Sequence, residues 1–206
     1  MQLFIKPHAS SLAPHIVLNW LNLDYDLHTA EFFDDVLYEH NATGTVGFMK
    51  MDDGTVLTQV GALMKHLVRS NPSSELGPST DHQTAYQTDR WLLYLASDVH
   101  PPFHLLFLPD RYAIADNEKA REAALALCYR NFEILNAHLE GRAFMLGDKK
   151  SIVDALLFPM IRWSYMQFDD DHKDYTNLNA FHDRMEQDLG VRAAMEKEGI
   201  WQTISR

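Results

Sequence analysis

Lys6-Pro7-His8-Ala9-Ser10-Ser11-Leu12-Ala13-Pro14-His15-Ile16 follows the apolar opening Leu3-Phe4-Ile5. The apolar triplet reads as a short strand, and Leu12, Ile16, Val17, Trp20 and Leu21 then recur at helical spacing. The chain therefore passes from a strand through a small-residue loop into an amphipathic helix, and Ser10 and Ser11 stand where that helix begins. A helix N-terminus carries unpaired N–H groups and a partial positive charge, and it stabilises anions. A thiolate held there has its pKa lowered from about 8.5. This is the chemistry of thiol-activating folds, here with hydroxyls and no cysteine in the loop.

Outward from this unit the periodicity changes along the chain. Tyr25–His28 is a short strand candidate, and Glu31–His40 leaves helix and strand both open. Val46–Met51, the turn Asp52-Asp53-Gly54 and Thr55-Val56-Leu57 form a hairpin pattern. Thr58 is the expected cap of a helix running to Val68. The order is β-α-β, an irregular piece, then β-β-α. Asn71 to Thr80 is rich in turn residues and reads as a linker.

Beyond the linker the pattern is helical. Gln83–Leu108 is one expected helical stretch, which Pro101-Pro102 should kink or interrupt. Asn117–Leu139 is a long helix. Ser151-Ile152-Val153-Asp154 has capping-box spacing ahead of an apolar run through Trp163, so Asp154 is read as a buried acceptor at a cap. Leu178–Glu198 holds one or two helices, broken near Gly190. The run Asp169-Asp170-Asp171 reads as a solvated loop. Tyr94, Phe107 and Tyr112 have the spacing of core residues.

Composition bounds the function. The 206 residues carry a net charge of −11, which opposes nonspecific nucleic-acid binding. A single cysteine, Cys128, excludes an intrachain disulfide and any CxxC pair, and its apolar neighbours suggest an inert buried thiol. There is no secretion signal and no apolar run of the roughly 18 residues a membrane span needs, so a cytoplasmic location is expected. No Ser-His-Asp motif, P-loop or GxGxxG is present.

Five pieces in sequence order resemble the cytosolic glutathione transferases, most closely the bacterial beta class. They are Lys6-Pro7-x-Ala9-x-Ser11-Leu12 with Pro14-His15-Ile16; Asp52-Asp53-Gly54-x-Val56-Leu57-Thr58; Trp91-Leu92-x-Tyr94-Leu95-Ala96 with His100; Ser151 to Ala155; and Arg162-Trp163-x-Tyr165. The resemblance implies a thioredoxin-like α/β domain over 1–70, a linker over 71–81 and an all-α domain over 82–206. It implies a homodimer that uses glutathione as cosubstrate, with no metal, to attack a small hydrophobic electrophile. Ser10 or Ser11 would donate a hydrogen bond to the thiolate, with His100 beside the sulfur as donor or as a base of near-neutral pKa. Val46 and Gly47 would meet the peptide backbone of glutathione, Gln59 and Val60 its γ-glutamyl end, and Trp163 and Tyr165 would wall the second-substrate pocket.

The chain also departs from the family's pattern. Serine replaces cysteine at Ser10, Gly47 replaces a cis-proline, Val60 replaces a serine, Pro101 follows His100 where lysine is usual, and Thr29–Gly44 is short. A trans Val46–Gly47 bond is expected, because the cis form costs about 2.5–4 kcal/mol without proline. Each lost hydrogen bond to a charged ligand group costs roughly 1.5–3 kcal/mol. Two expectations follow: a transferase with a divergent glutathione site, or a non-catalytic binding or scaffold protein of the same fold. A cis Val46–Gly47 bond would favour the first and a trans bond the second. His100 and His104 have i, i+4 spacing, but the prolines between them are expected to spoil the helix.

Overall fold

The computed structural model describes residues 1–77, 81–112, 117–168 and 175–201. Residues 78–80 of the expected linker and the run Asp169-Asp170-Asp171 lie outside the described residues.

The N-terminal part is a four-stranded mixed sheet of order β2-β1-β3-β4. β1 (Gln2–Ile5) pairs in parallel with β2 (Asp26–Thr29) and antiparallel with β3 (Phe48–Lys50), and β3 pairs antiparallel with β4 (Val56–Leu57). A parallel pair needs a crossover, and α1 (Leu12–Trp20) supplies it. Alternation in β1 divides the core between two faces. Leu3 and Ile5 join Met49 beneath α1 and α3 (Val60–Ser70), while Phe4 joins Val46, Phe48 and Leu37 on the other face. Phe4 and Phe48 stack with centroids 4.5 Å apart. The ambiguous stretch Glu31–His40 contains one helical turn, α2 (Asp35–Tyr38), pinned by the buried Leu37. With the helices that follow, this is the expected architecture of a thioredoxin-like α/β part and an all-helical part.

The prolines do not break the helix after the linker. α4 (His82–Tyr94) passes through a wider π turn, Leu95–Val99, into α5 (His100–Phe107). The His100 N–H reaches back to the Leu95 carbonyl, five residues away. Pro101 and Pro102 then occupy the first turn of α5, where a missing N–H is tolerated. The Asp98 carbonyl, four residues before Pro102, accepts from the Asn131 amide at 2.8 Å, and the Asn131 oxygen accepts from the Tyr94 hydroxyl at 2.9 Å.

α6 (Asn117–His138), α7 (Ile152–Gln167), α8 (Thr176–Gln187) and α9 (Leu189–Lys197) complete the described helices. Ser151 and Asp154 form the expected capping box of α7. Asp154 is fully buried and accepts from the Met145 N–H, the Ser151 N–H and the Ser151 hydroxyl at 2.7–2.8 Å. Asp188 separates α8 from α9 and caps the latter through the Gly190 and Val191 N–H groups. A Cβ on Gly190 would lie 2.4 Å from the Trp20 ring, so the close approach of α9 to α1 requires glycine there. α1 packs on α7 and α9, which ties the sheet to the helical part through one continuous core. His15, buried on α1, bridges Glu198 and Tyr25 at 2.7 Å each. Cys128 is buried, and burial pushes its thiol up to about 12, so it stays protonated.

Candidate active site

A cavity of about 540 Å³ opens where the β1–α1 loop, the approach to β3 and the start of α3 face α5 and α7. Its wall brings together Ser10, Val46, Gly47, Gln59 and Val60 from the α/β part with His100 and Trp163 from the helices. Ser11 is not part of that wall.

The two serines divide cleanly. Ser11 is fully buried, and its Oγ accepts from the Lys6 N–H and donates to the Lys6 carbonyl, both at 3.2 Å. It stands at the N-cap position of α1 in helical backbone geometry, with no side-chain cap bond. Ser11 thus closes the strand-to-helix turn, and its hydroxyl proton is committed there, which argues against the expected role as a thiolate donor. Ser10 is half-buried and borders the cavity. The helix start is satisfied by backbone turns, Leu12 N–H to Ala9 and Ala13 N–H to Ser10. The Ser10 and Ser11 N–H groups have no acceptor among the described residues.

The Val46–Gly47 bond is trans. Gly47 has φ +85°, a conformation that favours glycine, and its N–H extends the sheet by donating to the Phe4 carbonyl at 3.0 Å. The Val46 N–H and C=O have no hydrogen-bond partner among the described residues, although the side chain packs in the core. α3 starts at Val60, one residue later than the Thr58 cap expected from sequence implies. Gln59 holds the N-cap with φ +65° and ψ +100°, a strained geometry of the kind that clusters at binding sites. Among the described residues no side chain caps α3, and the N–H groups of Val60 and Gly61 on the cavity wall have no acceptor.

The helical side is aromatic. The Trp163 indole N–H donates to the His8 carbonyl at 2.6 Å, joining α7 to the β1–α1 loop. His8 presents that carbonyl from a left-handed backbone, φ +67°. The Trp163 ring meets His100 at 5.0 Å, Phe103 at 5.3 Å and Phe107 at 6.1 Å between centroids. Phe107 and Tyr112, expected in the core, are 37% and 42% exposed, and Phe107 borders the cavity. The cavity wall does not include Tyr165; its hydroxyl instead donates to Asn179 at 2.9 Å.

His100 and His104 are brought ring to ring, 4.3 Å between centroids, because the helix runs intact through the prolines. Burial, and to a lesser extent the neighbouring His104 imidazole, push His100 down to about 3. The ring touches the cavity, yet the surrounding carbon desolvates it, so the expected near-neutral base is corrected to a neutral imidazole able to donate one N–H. His104 is lowered by burial and Arg111, and His8 by burial and Arg162.

Among the wall residues that the sequence pattern does not assign to the site are His8, His104 and Arg111. His104 had a signal in its spacing from His100. Arg111 had none, because the turn Pro109–Tyr112 approaches the sheet only in three dimensions. Away from the cavity, His182, Asp183 and Glu186 place potential ligand atoms within 4.8 Å of one another, but Glu186 already meets the Arg162 guanidinium at 3.4 Å.

Residues 95–188 match the family model for the glutathione S-transferase C-terminal domain. The chain is 31% identical over 205 residues to a glutathione S-transferase of Xanthomonas campestris pv. campestris, covering 97% of this chain and 100% of that one. Among solved structures it is similar to a bacterial beta-class glutathione S-transferase of Sphingomonas chungbukensis, with TM-score 0.89 and 29% identity over 97% of this chain and 100% of that one. It is also similar to a sphingomonad glutathione S-transferase complexed with glutathione, with TM-score 0.87, 29% identity and the same coverage.

Proposed function

The chain belongs to the glutathione S-transferase family, and from that premise we propose that its cavity binds glutathione and activates the thiol for attack on a small electrophile. The observation that carries this reading is the meeting of three unsatisfied elements on one wall: the Ser10 loop, the free peptide groups of Val46 and the uncapped start of α3. The γ-glutamyl carboxylate fits the N–H groups of Val60 and Gly61 beside Gln59, where the helix dipole favours an anion. The cysteinyl backbone pairs with the Val46 N–H and C=O. The thiol then lies beside Ser10, whose hydroxyl donates to the thiolate while the proton leaves to solvent. His100 supports the sulfur as a neutral N–H donor. In the transfer step the C–S bond forms as the leaving group departs with its electron pair. The ring faces of Trp163, Phe103 and Phe107 hold the electrophile.

The homodimer and cytoplasmic location typical of bacterial members belong to the same proposal. Tyr86 and Leu93 on α4, 59% and 67% exposed, are apolar surface available to a second copy. Among the described residues, no helix is long and apolar enough to cross a membrane.

One observation favours the second reading, a non-catalytic binding or scaffold protein: the trans Val46–Gly47 bond aims the Val46 peptide groups differently from the family's cis-proline geometry. Calorimetric titration with glutathione separates the two. Binding at or below millimolar concentration is expected, and its absence rejects the transferase.

A further inference from the structure

The chain carries a net charge of −11, yet among the described residues no Asp or Glu side chain borders the cavity, while Lys6 and Arg111 do. Lys6 is neutralised by an ion pair with Glu31. Arg111 meets no carboxylate among the described residues. It stands on the 3₁₀ turn Pro109–Tyr112 after α5, and its guanidinium lies 5.3 Å from the Phe33 ring centroid, so it reaches from the helical part toward the sheet part beside the cavity. The aromatic surface of Phe107, Phe103 and Trp163 borders the same cavity. His100 and His104, held neutral by burial, add no competing charge to this wall.

A flat apolar surface with one unneutralised planar cation beside it has a definite complement. We propose that the second-substrate pocket selects aromatic electrophiles that carry a carboxylate, with Arg111 as the specificity-determining residue that pairs with it. A guanidinium matches a carboxylate with two parallel N–H···O bonds, which a lysine does not reproduce. The ring of the substrate stacks on the aromatic wall. This inference rests on the transferase reading for its chemistry. With 4-chloro-3,5-dinitrobenzoate, the glutathione thiolate attacks the chlorine-bearing carbon. The C–S bond forms, the C–Cl bond breaks, chloride leaves with the electron pair, and the thiol proton passes to solvent.

The test compares 4-chloro-3,5-dinitrobenzoate with its methyl ester in the wild type and in Arg111→Gln. Arg111 is exposed, so the substitution spares the fold. Expected is a rise of about tenfold in KM for the acid, equivalent to about 1.4 kcal/mol, and at least several times larger than any change for the ester. Arg111→Lys recovers part of the loss. Equal losses on acid and ester, no loss on the acid, or a comparable rise in KM for glutathione each overturn the proposal. A second measurement needs no turnover: calorimetry of unreactive 3,5-dinitrobenzoate and 3,5-dinitrobenzamide without glutathione. Tighter binding of the acid, abolished in Arg111→Gln, sustains the inference even where conjugation is absent, and that pattern sinks the transferase reading alone. Equal binding of acid and amide sinks the inference.

Discussion

Val60 Cγ2 lies 2.7 Å from the position that a Cβ on residue 47 would take. A side chain at Gly47 would displace the valine, and the φ of +85° would strain any residue placed there. The two departures from the family's pattern at the centre of the cavity are therefore one packing arrangement: the valine methyl group fills what position 47 leaves open.

Gly47→Ala is expected to lower stability by about 1–3 kcal/mol through overpacking and backbone strain. Val60→Ala opens the space and should recover the steric part of that loss but not the strain. A double-mutant cycle by urea unfolding checks this. A coupling of at least about 0.5 kcal/mol is expected between residues in contact; strictly additive losses would show that the two positions do not share the space.

Ser10 and Ser11 should fail in different ways. Ser10→Ala lowers turnover of a conjugation substrate by about tenfold or more, the worth of one hydrogen bond to a charged group, with little change in melting temperature. Ser11→Ala leaves the Lys6 N–H without its acceptor, while the Lys6 carbonyl keeps the Ala9 N–H, and costs about 1–3 kcal/mol of stability. Kinetics and thermal melts on the same preparations decide it, and the opposite pattern refutes the assignment.

Because His100 is pushed down to about 3, it stays neutral across the working range. The ratio of kcat/KM between wild type and His100→Gln should be flat from pH 5.5 to 8; an inflection removed by the substitution would restore the base. The linkage sign follows from the direction of the shift. The unfolded chain binds a proton near pH 6.5 and the folded chain does not, so stability is fully present above pH 6.5 and falls as pH drops toward 3. His100→Gln should shallow that acid-side loss of melting temperature.

Asp154 works in the opposite sense. Burial raises it to about 6 despite three accepted hydrogen bonds. Between the unfolded value of 3.8 and about 6 the folded state holds the extra proton, so its contribution declines as pH rises through that window and is constant above it. The decline amounts to about 3 kcal/mol at 1.36 kcal/mol per unit. Urea unfolding of wild type and Asp154→Asn at pH 4, 5, 6 and 7 should show their stability difference narrowing over the first three points only. A difference that widens with pH rejects the raised value.

Several of these features were legible before the fold. The strand–loop–helix opening, the Asp52-Asp53-Gly54 hairpin and the Ser151–Asp154 box depend on residues within a few positions of each other, and all three formed. The prolines misled because their local effect is to break a helix, and the Asn131 amide that holds the Asp98 carbonyl comes from 33 residues away. Ser10 and Ser11 were indistinguishable as adjacent hydroxyls. The difference between them is the Lys6 peptide on one side and a cavity on the other.

Backbone preference and hydrophobic period are short-range properties, so the sequence by itself determined the order of elements and the loops that border the cavity. Protonation, the choice of hydroxyl, the arrival of the Arg111 guanidinium at the cavity wall and the fit of Val60 against Gly47 were decided by tertiary structure alone. Desolvation, charge pairing and steric exclusion depend on which atoms arrive from distant parts of the chain, and no local pattern records that.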